Sequence, residues 1–124
     1  MNTISLLAVF IGGGVGSIFR YMLSKAIKYF IPSAFPLTIL GVNILACFLS
    51  GALGGWLLSK PEWHNIRLLL IVGFCGGFST FSGFTDQTLR LLNEGNYFNS
   101  FLDIILHITL CLAATFFGAI LFKQ

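Results

Sequence analysis

Residues 73–84 read Gly-Phe-Cys-Gly-Gly-Phe-Ser-Thr-Phe-Ser-Gly-Phe, glycines and hydroxyls set in an apolar, uncharged run. In lipid, backbone that leaves helical geometry must be buried in protein or line a wet cavity. A broken helix there exposes amides that suit an anion and carbonyls that suit a cation. The adjacent glycines Gly76 and Gly77 meet Ser79 and Thr80, and this junction is predicted to break the helix. Phe81 and Phe84 lie three apart and so share a face of the helix that resumes. Their ring edges are electropositive and can receive a small anion without holding it as a full charge would.

Few other polar groups stand at membrane depth, where they are costly and therefore functional candidates. Asn43 offers donors either to an ion or to a neighbouring helix. His107, Cys111 and Thr115 recur every four residues, which places them on one helix face as interhelical contacts or as the wall of a polar track. Ser82 is expected to join that stripe, and Asp103, one turn before His107, to reach the interface. Arg20 follows a glycine run and either snorkels to the interface or gives an anion vestibule a positive field.

The elements that position these residues are membrane helices. Of 124 residues, 56% are hydrophobic and only 9% charged, whereas soluble domains run near a quarter charged. Residues 3–19, 31–59, 68–85 and 104–122 form four charge-poor segments, each able to span a core that needs about 20 apolar residues. The first lacks the basic start of a cleaved signal peptide. The links fall at 25–34, 60–67 and 91–98, so residues 1–124 are expected to form a single four-helix transmembrane domain with both termini on one side. The glycines at 12 and 16, 51 and 55, and 73 and 77, with Ala114 and Gly118, have the small-xxx-small spacing of closely packed membrane helices.

Four helices leave little room to enclose a path within one chain, which implies an oligomer. Lys60, Arg67 and Lys123 lie on one predicted side and Lys25, Lys28 and Arg90 on the other, with Arg20 inside the first span. Because Lys and Arg set orientation, this balance points to insertion both ways and an antiparallel dimer. No basic cluster lies outside the lipid bilayer to suggest nucleic acid. Cys47, Cys75 and Cys111 lie in separate spans, without metal-ligand spacing, and read as small packing residues.

Along essentially its whole length the chain resembles the small Fluc/CrcB fluoride channels. The resemblance rests on Gly13-Gly14-Val15-Gly16-Ser17-Ile18-Phe19-Arg20-Tyr21, on Val42-Asn43, and above all on residues 73–84. It implies an all-α, antiparallel dual-topology dimer in the cell's inner (plasma) membrane, multi-pass, with a broken third helix and two fluoride pathways. It implies that Phe81 and Phe84 line the pathways, that Asn43 donates to fluoride, and that His107, Cys111 and Thr115 belong to a polar track, with Arg20 at the vestibule. It further implies a structural sodium (Na+) at the dimer centre, held by the Gly76 and Ser79 backbone carbonyls. The partner would be a second copy or, in a heterodimer, a chain of different sequence. The chain departs from the family pattern at Thr38-Ile39, Gly83, Gln87 and Cys111.

The expected function is passive exit of cytoplasmic fluoride, which protects against its toxicity. The alternatives are a small four-helix drug/proton antiporter, which needs a carboxylate within the membrane, and a non-transporting tetraspan scaffold. An enzyme is not expected, because no nucleophile–base set appears.

Overall fold

The computed structural model describes residues 1–33 and 35–124. Among them, four helices are long and apolar enough to cross a membrane: α1 (Thr3–Phe30), α2 (Leu37–Leu57), α3 (His64–Asn93) and α4 (Tyr97–Leu121). They make the protein all-α and multi-pass. α1, α3 and α4 outrun the predicted segments, while α2 falls inside the predicted 31–59. α1 continues through Lys25 and Lys28, so most of the predicted 25–34 link is helical, and Ala34, its last residue, lies outside the described residues. At 1.5 Å per residue the 28 residues of α1 reach about 42 Å, beyond a hydrocarbon core of about 30 Å. Helical hydrogen bonding carries on into the headgroup zone, where charge is tolerated, so loss of apolarity does not mark a helix end.

The same holds for α3 and α4. The predicted 91–98 link shrinks to a turn between Asn93 and Tyr97, closed by Gly95 at a φ of 76°, where a side chain would be strained. Asn96 caps α4 by accepting from the Asn99 N–H at 3.4 Å, as Asn2 caps α1 by accepting from the Ser5 N–H at 2.8 Å. Both termini meet the α2–α3 link at one end: Ser5 Oγ donates to Asn65 Oδ1 at 3.2 Å and Lys60 Nζ to Gln124 Oε1 at 3.1 Å. Lys60 also lies over the Trp56 and Trp63 rings, 4.6 and 5.5 Å from their centroids, a cation–aromatic cluster suited to the membrane–water boundary.

Two helix pairs build the protomer, α1 with the first half of α3 and α2 with α4. Glycine makes both approaches close enough for backbone to touch backbone. A methyl on Gly12 would overlap the Leu69 carbonyl, and one on Gly16 the Phe74 carbonyl. Gly77 faces the Gly13 carbonyl in return. In the second pair, Gly51 and Gly55 face the Thr115 and Ala119 carbonyls, and Gly118 faces that of Phe48. Lipid supplies no hydrophobic drive between helices, so this contact area carries the association. Val42, Ala46 and Phe78 form the core between the pairs, with Leu23, Ile27, Leu49 and Phe74 against it. Phe10, Ile18, Phe101 and Phe116 are left exposed, as side chains against lipid would be.

Gly76 differs from its neighbour, since a Cβ there would meet nothing closer than Ile71 O at 3.9 Å. Gly77→Ala is therefore expected to lower stability by about 1–3 kcal/mol, the usual cost of overpacking, and Gly76→Ala to leave packing intact. Thermal unfolding in detergent checks the contrast, and equal losses would contradict it.

Candidate functional site

The break in α3 falls after the glycines. Leu68–Cys75 is π-helical and Gly76–Phe78 is α-helical, with Gly76 at φ −63° and ψ −39°. The chain then extends at Ser79 (φ −77°, ψ 158°) and Thr80 (φ −146°, ψ 111°), and a second arm runs from Phe81 to Asn93. The break thus falls within the predicted junction, but on its hydroxyl side. Gly77 serves packing, and the hydroxyl residues carry the break.

Two side chains hold it open. Thr80 Oγ1 accepts from the Gly83 N–H at 2.9 Å, capping the second arm. From α2, Asn43 Oδ1 accepts from the Thr80 N–H at 2.8 Å, and Asn43 Nδ2 donates to the Thr80 carbonyl at 3.0 Å. Asn43 is only 7% exposed, so this clamp satisfies both main-chain polar groups of Thr80 where little water reaches. The Thr80 and Gly83 amides are the i+4 donors that Gly76 and Ser79 would use in an unbroken helix. Their diversion frees those two carbonyls from helix bonding. It also leaves one Asn43 N–H for another acceptor. The glycine at 83 has a local cause, since a Cβ there would lie 2.8 Å from Thr80 Cγ2 and disturb the cap.

A cavity of about 380 Å³ opens beside the break. α2 contributes Asn43 and Cys47, α3 contributes Thr80, Phe81 and Phe84, and α4 contributes His107, Cys111 and Thr115. Phe81 and Phe84 meet edge to face at 5.6 Å and 69°, and Phe84 stacks on His107 at 4.2 Å and 29°. The Thr115 hydroxyl donates to the Cys111 carbonyl at 3.0 Å, leaving its oxygen to accept. Phe81 is 76% exposed, so the wall beside it is open to whatever lies alongside the protomer.

Asp103 corrects another expectation. It is fully buried instead of reaching the interface. Gln87 Nε2 donates to its two oxygens at 3.1 and 3.0 Å, Thr88 Oγ1 donates at 3.2 Å, and His107 Nδ1 stands 3.0 Å from Oδ1. These partners make burial of the carboxylate tolerable. The four-residue spacing from Thr115 to His107 runs back to Asp103, and this was the sequence signal for it. Cys47 and Thr88 carried no comparable signal, while Thr80 was marked only by the break and Gln87 only as a departure from the family pattern.

Ser82 does not join the α4 stripe. It lines a separate concavity of about 520 Å³ with Arg20, Tyr21, Thr80 and Asp86, and its hydroxyl lies 3.3 Å from that of Thr80. Arg20 is half-buried, and its Nη1 donates to the Ser79 carbonyl at 3.4 Å. Gly76 and Ser79 line a third concavity, of about 190 Å³, with Ser50 and Thr115. Cys47 and Cys75 also line it, and its oxygen donors are of the kind that fits a hard cation. The Gly76 carbonyl is the freer of the two, since Ser79 shares one lone pair with Arg20.

Residues 7–119 match the family described as CrcB-like protein, Camphor Resistance (CrcB). Curated relatives carry the name fluoride-specific ion channel FluC. One from Azobacteroides pseudotrichonymphae is 43% identical over 113 residues, 90% of either chain. One from Campylobacter lari is 40% identical over 119 residues, covering 96% of this chain and 98% of its own. One from Pyrococcus abyssi is 38% identical over 128 residues, covering 100% of both.

Asn43→Leu would strand the Thr80 N–H and carbonyl, at about 1–3 kcal/mol for each buried unpaired group. Loss of amide-exchange protection at Thr80 and a lower unfolding temperature are expected. Unchanged protection would show that the clamp does not hold the break.

Proposed function

The chain belongs to the CrcB-like family, and on that premise we propose that it is a fluoride-selective channel through which cytoplasmic fluoride leaves the cell passively, protecting it from fluoride toxicity. The observation that carries this reading is the clamped break, which sets a hydrogen-bonding amide and two phenylalanine rings around one cavity. Fluoride is small and strongly hydrated, so stripping its water is costly unless donors replace it. The free N–H of Asn43 and the amides that open the second arm supply donors, and that helix start adds positive dipole. The edges of Phe81 and Phe84 continue the path with weak, spread positive charge, which lets an ion enter without being trapped. Arg20 and Ser82 form the aqueous mouth, where a fixed positive charge raises the local concentration of anions. His107, Cys111 and Thr115 line the far wall. Chloride, being larger, is rejected by width and by donor geometry.

The open wall beside Phe81 calls for a second protein surface. With basic residues balanced between the two ends, the reading is an antiparallel, dual-topology pair of identical chains in the inner membrane, giving two pathways. The freed Gly76 and Ser79 carbonyls of both subunits would hold a sodium ion at the two-fold centre. When bound, that ion supplies positive charge that offsets carbonyls taken out of helical bonding.

Reconstituted in liposomes, the protein is expected to release fluoride and retain chloride when each is followed by an ion-selective electrode. Equal release of both anions, or coupled movement of an organic cation, would overturn the reading. Phe81→Ile is expected to cut fluoride flux by at least about tenfold, the rate equivalent of about 1.4 kcal/mol, with the dimer still folded. A C-terminal tag should be reachable from both faces of the membrane, and exchanging sodium for a large organic cation should destabilise the purified dimer. A single tag orientation would refute dual topology, and indifference to sodium would refute the central ion.

A further inference from the structure

The deepest ionisable pair in the protomer is Asp103 with His107, 0% and 5% exposed. His107 Nδ1 faces two oxygens, the Asp103 main-chain carbonyl at 3.1 Å and its Oδ1 at 3.0 Å. Both only accept, so Nδ1 carries a proton whether the ring is neutral or charged. The proton that comes and goes is the one on Nε2. That nitrogen is buried and without a hydrogen-bond partner among the described residues, in a ring that lines the main cavity. A neutral ring turns a bare lone pair toward the cavity, which repels an anion. A protonated ring offers an N–H instead.

From this geometry we infer that His107 is a proton-controlled anion donor and Asp103 the residue that positions it, so that acid opens the path. The inference rests on the fluoride reading above. Among the described residues no other charge faces the ring. On α2 the cavity holds Asn43 and the Cys47 thiol, and on α4 the Cys111 thiol. The second arm of α3 presents Phe84, Gln87 and Thr88. Asp86 and Arg90 pair with each other at 2.9 Å and are mostly exposed. Gln87 matters here, because a carboxylate at that place would set two like charges together, whereas its amide donates to both Asp103 oxygens. The Phe84 face stacked on the ring favours a cation. The carboxylate behind the imidazolium keeps the pair neutral overall, so an anion meets a donor and not an unbalanced charge that would hold it.

The test is fluoride efflux from liposomes holding the full chain, at equal pH on both sides, after subtracting leak from protein-free liposomes. Flux is measured from about pH 8 to about pH 5, the range in which histidine is the side chain able to switch charge, and is expected to rise at least about fivefold toward acid. His107→Gln, which always carries N–H, should flatten the profile, whereas replacing the other histidine, His64→Gln, should preserve it. Asp103→Asn removes the counter-charge and should shrink acid stimulation to under about twofold; full stimulation would remove Asp103 from the device. Nitrogen-15 NMR of the unaltered protein at alkaline pH should find His107 protonated on Nδ1 and bare on Nε2. A neutral ring protonated on Nε2, or a steady flux independent of pH, overturns this inference alone. No fluoride flux at any pH overturns it together with the channel reading.

Discussion

Two hydrogen bonds between the Asn43 side chain and the main-chain N–H and carbonyl of Thr80 hold the site together. A membrane helix resists breaking because each freed amide and carbonyl would face hydrocarbon. Asn43 removes that penalty for the N–H and carbonyl of Thr80, and the Thr80 hydroxyl removes it for the Gly83 amide. With those two donors committed, the helix cannot close over Gly76 and Ser79. One interaction from α2 thus sets the start of the second arm, the direction of its dipole and the position of Phe81 and Phe84.

The glycine contacts serve the same end. α1 and the first half of α3 approach until backbone meets backbone at Gly12, Gly16 and Gly77. α2 and α4 do so at Gly51, Gly55 and Gly118. Rigid pairs of this kind keep Asn43 within hydrogen-bond reach of Thr80, and they bring the Cys47 and Cys111 thiols to the same cavity. Specificity then depends on few atoms. The cavity is mostly apolar, and its polar groups are an amide, two thiols, two threonine hydroxyls and one imidazole.

How much of this was legible in the sequence follows from the range of each signal. The four spans, the packing glycines and the break are written in local composition, and each predicted segment falls on one of the four helices, although the helix ends do not. The Phe81–Phe84 pair and the α4 stripe are helical periodicity, which survives folding. What escaped depends on partners far along the chain. Asp103 reads as an interfacial charge because the charge-poor segment starts at Ile104, and it is Gln87 and Thr88, on another helix, that join His107 in satisfying it. Ser82 turns toward Arg20 because the extended Ser79-Thr80 step resets the phase of the second arm. Gly76 and Gly77 look like the breakers because glycine weakens helices, yet both stay helical. Helix ends were misplaced wherever charged residues continue a helix beyond the hydrocarbon, as at Lys25 and Lys28.

The central claim is that the cavity held open by Asn43 selects fluoride over chloride. The most direct measurement is the reversal potential of the protein in a planar bilayer, with a tenfold fluoride gradient and equal chloride on both sides. A fluoride-selective path predicts reversal near the fluoride equilibrium potential, about 59 mV in magnitude. Reversal near zero, where chloride is at equilibrium, would contradict it, because chloride would then carry the current.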